Sequence, residues 1–241
     1  MVKKMAYVTV PLLRGFTEIK ELYEAVTARE GIICGGYARY CASQNSKPVT
    51  AGDIDVFPLK VEAYEGLKEY FVSEGFEIKH ENDISLTLKK HEAIKWLACP
   101  PVQLIKPTQE GRVVTLGEMS LILDNFDFSI VRAGIQSPTE CLVDEDFIED
   151  EKQKILRLKN IHCPISSTYR VIKYIGKGYW AKPRQVLELF IDWQERDDEY
   201  RVKIIELFKK GEGFDADAPE GQKGGLSKEE INELEALMRI D

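Results

Sequence analysis

Asp53 and Asp55 stand two residues apart in Asp53-Ile54-Asp55-Val56-Phe57, where carboxylates alternate with apolar side chains. On a strand, that alternation sends both acids to one face and Ile54 and Val56 to the other. Upstream, a short apolar run, Ile32-Ile33-Cys34, ends in Gly35-Gly36. Paired glycines remove side chains where backbone must pass close to phosphate, and the N-terminus of a following helix favours anions. Two carboxylates on one face supply hard oxygens of the kind Mg²⁺ takes, usually one or two carboxylates plus substrate phosphates. These residue types at this spacing describe a seat for a divalent cation and a nucleoside triphosphate.

Neither motif decides alone. A chain with 41 acidic residues in 241 contains Asp-x-Asp by chance, and a Gly-Gly pair is equally weak. Their conjunction, with Arg39 three residues after Gly36, is far more specific. It resembles the signature of the DNA polymerase beta nucleotidyltransferase superfamily: an apolar strand, Gly-Gly or Gly-Ser, a spacer, then Asp-x-Asp on the next strand. The nearest likeness is to the head domain of tRNA nucleotidyltransferases and bacterial poly(A) polymerases, whose Gly-Gly-x-x-Arg is matched by Gly35, Gly36 and Arg39.

The resemblance implies a chemistry and a site. A hydroxyl attacks the α-phosphate of a nucleoside triphosphate in line, and pyrophosphate leaves. Asp53 and Asp55 would hold two Mg²⁺ ions, which clamp the attacking and leaving oxygens. Gly35 and Gly36 would cradle the triphosphate, with Arg39, Arg170 and Lys173 offsetting its charge. In the superfamily a third carboxylate comes from a later strand beside the Asp-x-Asp strand. Asn125 to Val131 alternates Phe126, Phe128 and Ile130 with Asp127 and Ser129, which reads as a strand and makes Asp127 the candidate. Arg132, farther along, would contact phosphate or pair with an acid.

The likeness has gaps. The stretch around Asp127 is similar to Arg-Arg-Asp-Phe-Thr-x-Asn-Ala of the tRNA enzymes, but Asn125 and Phe126 replace the two arginines. Asp150, Leu156 and Arg157 loosely follow the family's Asp-Leu-x-x-x-x-Leu-Arg segment. Tyr169 to Pro183 resembles the neck segment through Arg170, Lys173, Tyr174, Gly178 and Tyr179. The Glu-Asp-x-x-Arg group that templates the base in CCA-adding enzymes falls at Cys163, Pro164 and Ser167, which cannot present the same donors and acceptors. Alternation between C and A is therefore not expected.

Composition bounds the rest. With 241 residues, 44% hydrophobic and 31% charged, the chain can bury a sizeable core as one large domain or two modest ones. No apolar run nears the roughly 18 residues of a membrane span, and Arg14 interrupts the N-terminal apolar stretch too early for a signal peptide. Five scattered cysteines without a Cys-x-x-Cys pair point to reduced thiols and a cytoplasmic setting. A net charge of −8 argues against gripping long nucleic-acid tracks. A local cluster, Arg170, Lys173, Tyr174, Lys177, Tyr179, Trp180, Lys182 and Arg184, still mixes cations with rings as phosphate tracking and base stacking require. Buried rings with solvent-facing lysines explain the same pattern.

Along the chain, helical spacing marks 17–29, with Thr17 as N-cap, and 63–73, closed by Gly75. Phe76–Lys79 and Ser85–Lys89 read as a hairpin, Val102–Lys106 as a strand, Thr115–Leu123 as a helix. Asp144–Leu158 reads as a helix that begins acidic and ends basic, and Gln185–Lys210 as a further helical region. The expectation is an α/β (α+β) chain. A mixed-sheet nucleotidyltransferase head occupies 1–140, and a helical neck 141–210. A flexible linker follows at 211–226, then a C-terminal helix at 227–241, opened by a Ser-Lys-Glu-Glu capping box. The expected partners are a nucleoside triphosphate and either an RNA end of tRNA type or a protein or small-molecule acceptor. A nucleotide-binding relative without activity is the remaining class.

Overall fold

Alternating burial along Ile54–Pro58 builds a strand at the middle of the sheet. Ile54, Val56 and Pro58 are buried on one face, while Asp55 and Phe57, with Asp53 just ahead, are half-buried on the other. The computed structural model describes residues 6–43, 52–82, 84–90, 100–109, 112–113, 116–211, 227 and 229–230. In chain order its elements are β1 (Tyr7–Pro11), α1 (Phe16–Ala28), β2 (Gly31–Cys34), α2 (Gly36–Ala42), β3 (Ile54–Pro58), α3 (Val61–Ser73) and β4 (Phe76–Glu81). Then come β5 (Ser85–Lys90), β6 (Val102–Ile105), β7 (Thr108–Gln109), β8 (Arg112–Val113), α4 (Met119–Leu123), a 3₁₀ turn (Ser129–Val131), β9 (Ala133–Ser137) and β10 (Glu140–Asp144). The rest is α5 (Phe147–Gln153), β11 (Ile155–Leu156), α6 (Pro164–Gly176), β12 (Trp180–Ala181), α7 (Pro183–Glu195) and α8 (Asp198–Gly211).

The fold is α/β with a mixed sheet of eight strands, in the order β1-β10-β9-β2-β3-β6-β5-β4. β2 and β3 are antiparallel, with Cys34 opposite Asp55; β3 and β6 are parallel, with Asp55 beside Gln103. On one face, Ile33, Ile54, Val56 and Leu104 pack with Ile19 and Val26 of α1 and Leu67 and Phe71 of α3. Each such side chain contributes roughly 1.5–3 kcal/mol when fully buried. On the other face, Cys34 packs with Ile122 and Leu123 of α4, beside Phe57 and Phe126. A second core of Phe128, Ile130, Leu156, Val171, Tyr174, Tyr179 and Leu189 joins the 3₁₀ turn to α6 and α7.

Several expectations change. The helix expected from Thr17 starts at Phe16, and Gly15, in a left-handed conformation at φ 77°, precedes it, so Thr17 lies inside the first turn. Asn125–Val131 is not a strand. Arg132 Nε donates to Phe126 O at 2.9 Å and Nη2 to Asp124 O at 2.8 Å, and these bonds curl the segment into a turn. The apolar alternation instead delivers Phe128 and Ile130 to the second core. The helix expected over Asp144–Leu158 is broken: Asp144 ends β10, α5 holds only seven residues, and Lys154 at φ 58° turns the chain into β11. The hairpin of β9 and β10 was not foreseen, although Pro138 lies in its turn and Cys141 and Val143 alternate inward. The helical region 185–210 is two helices, α7 and α8.

The hairpin of β4 and β5 stands as expected, its turn held by Asn82 Oδ1, which accepts from the amides of Ile84 and Ser85 at 2.8 Å. Gly75, at φ 81°, follows α3. The 211–226 linker and most of the C-terminal helix lie outside the described residues. At Ser227 and Glu230 the capping box is formed, the Ser227 amide on Glu230 Oε2 and the Glu230 amide on Ser227 Oγ.

Candidate active site

At Gly35 the chain leaves β2 with φ 75° and ψ −139°, a conformation essentially confined to glycine. Its amide donates to Ala133 O at 2.8 Å, tying the turn to β9. A β-carbon placed on Gly35 would overlap Asp55 Oδ2 and press on the Phe126 ring. The Asp55 carboxylate therefore packs directly against bare backbone. At Gly36, which opens α2, an added β-carbon meets nothing within 4 Å among the described residues. Gly35 is needed so that Asp55 fits, and Gly36 leaves room beside it.

Gly35→Ala is expected to cost roughly 1–3 kcal/mol of stability from backbone strain. It should also lower any activity at Asp55 at least about tenfold, because the carboxylate must move. Paired thermal melts and rate measurements check this.

Cys34, cross-strand from Asp55, is buried. Burial first, then Cys141 and the Asp55 carboxylate, push its thiol well above the usual range. It is a neutral, unreactive neighbour, because the thiolate is the reactive form.

Several of the other residues expected at the site are bonded to protein groups. Among the described residues no three His, Cys, Asp or Glu side chains form a group that could hold a metal ion. Asp127 is buried at 5% exposure and faces α6 instead, where its Oδ2 accepts from Ser167 Oγ and Arg170 Nη1, both at 3.0 Å. Its carbonyl takes the amides of Lys159 and Asn160. Asp127 joins the turn after α4 to the helical half of the chain, and Arg170 is its ion-pair partner.

Arg39 is also differently placed. It is 2% exposed, and Nε donates to Glu151 Oε1 at 2.6 Å, Nη1 to the Tyr174 hydroxyl at 3.3 Å and Nη2 to the Tyr179 hydroxyl at 2.5 Å. Glu151 is as buried, and takes Ser43 Oγ at 3.0 Å and the Tyr179 hydroxyl at 2.9 Å besides. Burial works against the guanidinium's charge, but Tyr174, Glu151 and Tyr179 outweigh it and hold the pKa above its ordinary value. This side chain fastens α2 to α5 and α6 and is spent on protein groups, contrary to the expected phosphate contact.

Arg132 is fully buried, bonded to the Asp124 and Phe126 carbonyls and within 3.8 Å of the Asp144 carboxylate. Of the two readings open to it, pairing with an acid is the observed one. The buried Asp150 accepts from Ser129 Oγ and from the half-buried Arg157, which is bidentate on it at 2.9 and 3.0 Å. Lys173 is exposed on α6.

In the basic and aromatic cluster, Tyr174 and Tyr179 are buried and serve Arg39, leaving Trp180, at 56% exposure, as its open ring. Lys173, Lys177, Lys182 and Arg184 face outward. Ser167 is bonded to Asp127, Pro164 is the first residue of α6, and Cys163 is buried against the Tyr200 hydroxyl.

No protein-family model matches the chain, and no curated protein sequence matches it. Solved structures do share its fold. A CCA-adding enzyme in complex with CTP aligns with a TM-score of 0.54 and 14% identity over 84% of this chain and 52% of that one. The Thermotoga maritima CCA-adding enzyme complexed with tRNA aligns at 0.53 and 15% identity, over 84% and 50%. A tRNA-processing enzyme in an apo form aligns at 0.51 and 16% identity, over 95% and 65%. The chain thus shares the fold of these structures and spans about half the length of the two CCA-adding enzymes.

Proposed function

We propose that the chain is a Mg²⁺-dependent nucleotidyltransferase, transferring NMP from a nucleoside triphosphate to a hydroxyl with release of pyrophosphate. One observation carries the reading: Asp55 leaves the half-buried face of β3, with Asp53 just ahead of the strand, and packs on a glycine whose conformation and missing side chain make room for it. The residues fit a hard divalent cation, since both are carboxylates and the glycine pair leaves space beside them. When bound, Mg²⁺ would supply positive charge to the triphosphate and make the acceptor hydroxyl a better nucleophile. Asp53 and Asp55 would hold it, and the bare backbone at Gly36 would let a phosphate approach.

The chain's other groups position this pair. Gly35 sets the Asp55 carboxylate, Arg132 folds the turn carrying Phe126 against that glycine, and Arg39 anchors the helix that starts beside it. Charge offset on the substrate falls to exposed cations of the helical half, Lys173 among them.

An RNA 3′ end is the acceptor we favour, supported by the shared fold with a tRNA-bound CCA-adding enzyme and by Lys173, Lys177, Lys182, Arg184 and Trp180 facing outward. A specific observation favours a second reading, a protein hydroxyl. Ile172 of α6 and Leu187, Phe190 and Ile191 of α7 are 57–65% exposed, as at protein-docking surfaces. Incubating the chain with each α-labelled NTP, Mg²⁺ and total tRNA separates the two. Label in tRNA, with binding that weakens steeply as salt rises, supports RNA; label only in polypeptide supports the second reading and refutes the first.

A further inference from the structure

We infer that Gln103 is a neutral oxygen ligand completing the cation seat of Asp53 and Asp55. The inference rests on the nucleotidyltransferase reading above and deepens it. Gln103 lies on β6, in register with Asp55 on the neighbouring parallel strand, so the two side chains leave the same face of the sheet side by side. It is the one polar residue of Val102-Gln103-Leu104-Ile105, a strand buried throughout. On its other side lies β5, where Ser85 Oγ receives its Nε2 at 3.0 Å.

With that bond made, Oε1 is buried without a hydrogen-bond partner among the described residues, in a residue of 6% exposure. A buried carbonyl oxygen without a partner lowers stability, and native proteins satisfy nearly all such atoms. Tolerating one next to a metal-type carboxylate is explained if a cation completes its bonding. Amide oxygens are ordinary ligands of hard divalent ions. A glutamine contributes an oxygen and no charge, so the protein side of this seat carries two negative charges from its two acids. A third carboxylate would make it three.

The test is Mn²⁺ binding, followed by electron paramagnetic resonance, in the full chain with a non-hydrolysable ATP analogue. Gln103→Met should weaken Mn²⁺ about tenfold or more, the scale on which supporting groups tune metal sites. It should change the melting temperature of the metal-free protein only slightly, because removing the unsatisfied oxygen offsets the loss of the bond to Ser85. Gln103→Glu keeps the oxygen, adds a charge and should tighten binding. Unchanged affinity in Gln103→Met, or weaker affinity in Gln103→Glu, overturns the inference; the latter would mean that the amide acts as a donor holding Asp55. Asp53→Asn/Asp55→Asn is the control for the underlying reading. If that pair binds Mn²⁺ like the parent, the seat itself is wrong, whereas loss there with no effect at Gln103 removes only this inference.

Discussion

Asp55→Asn is expected to leave the fold intact and to lower nucleotidyl transfer by a factor on the order of 10³ or more. The two side chains have the same shape, so the amide still fits against Gly35. What is lost is the negative charge that holds a cation where charge develops in the reaction. Removing one preorganised electrostatic group costs about 10²–10³ in rate, and losing a ligand of a metal site adds to that. A thousandfold loss corresponds to about 4 kcal/mol of transition-state stabilisation. Asp53→Asn should act in the same direction. Melting curves matched to the unmodified chain, with rates at saturating nucleotide, separate this outcome from unfolding.

The second large effect is expected away from the chemistry. Arg39→Ala should destabilise the chain by about 3–5 kcal/mol, because it leaves the buried Glu151 carboxylate without its guanidinium, with Ser43 and Tyr179 still donating to it. Against a typical stability of roughly 5–15 kcal/mol this is a large share. The penalty comes mainly from the stranded charge, so adding Glu151→Gln should recover part of it, a coupling readable in a double-mutant cycle. Urea denaturation of the four proteins measures it. Were Arg39 a triphosphate ligand, as its place in Gly-Gly-x-x-Arg implies, Arg39→Ala would raise the KM for nucleotide and leave the denaturation midpoint in place.

The contrast between Asp55 and Arg39 shows what was legible in the residues. The carboxylate pair and the glycine beside it depend on period-two alternation and on a turn between neighbouring strands, both short-range. Arg39 is decided by Glu151, Tyr174 and Tyr179, more than 110 residues away in sequence, and nothing near Arg39 names them. Asp127 went astray for a related reason. Phe126, Phe128 and Ile130 alternate as in a strand, yet the same spacing suits a turn that feeds Phe128 and Ile130 into a second core. The deciding bonds come from Arg132 to two carbonyls, and backbone acceptors leave no trace in the sequence.

Some misses did leave a signal. Pro138 between two alternating runs marked the hairpin of β9 and β10, which the reading of a helical neck from residue 141 passed over. Gln103 was visible as a lone polar residue in an apolar strand, but its register with Asp55 required the sheet order. The α/β class was readable because helical and strand periods alternate plainly through residue 109.

The most direct test of the account is pyrophosphate release from each of the four NTPs with Mg²⁺, with and without total tRNA, for the chain and for Asp53→Asn/Asp55→Asn. The account predicts release with at least one nucleotide and its loss in the double variant at an unchanged melting temperature. Release that persists in the double variant, or tight nucleotide binding with no release under any acceptor condition, would contradict it.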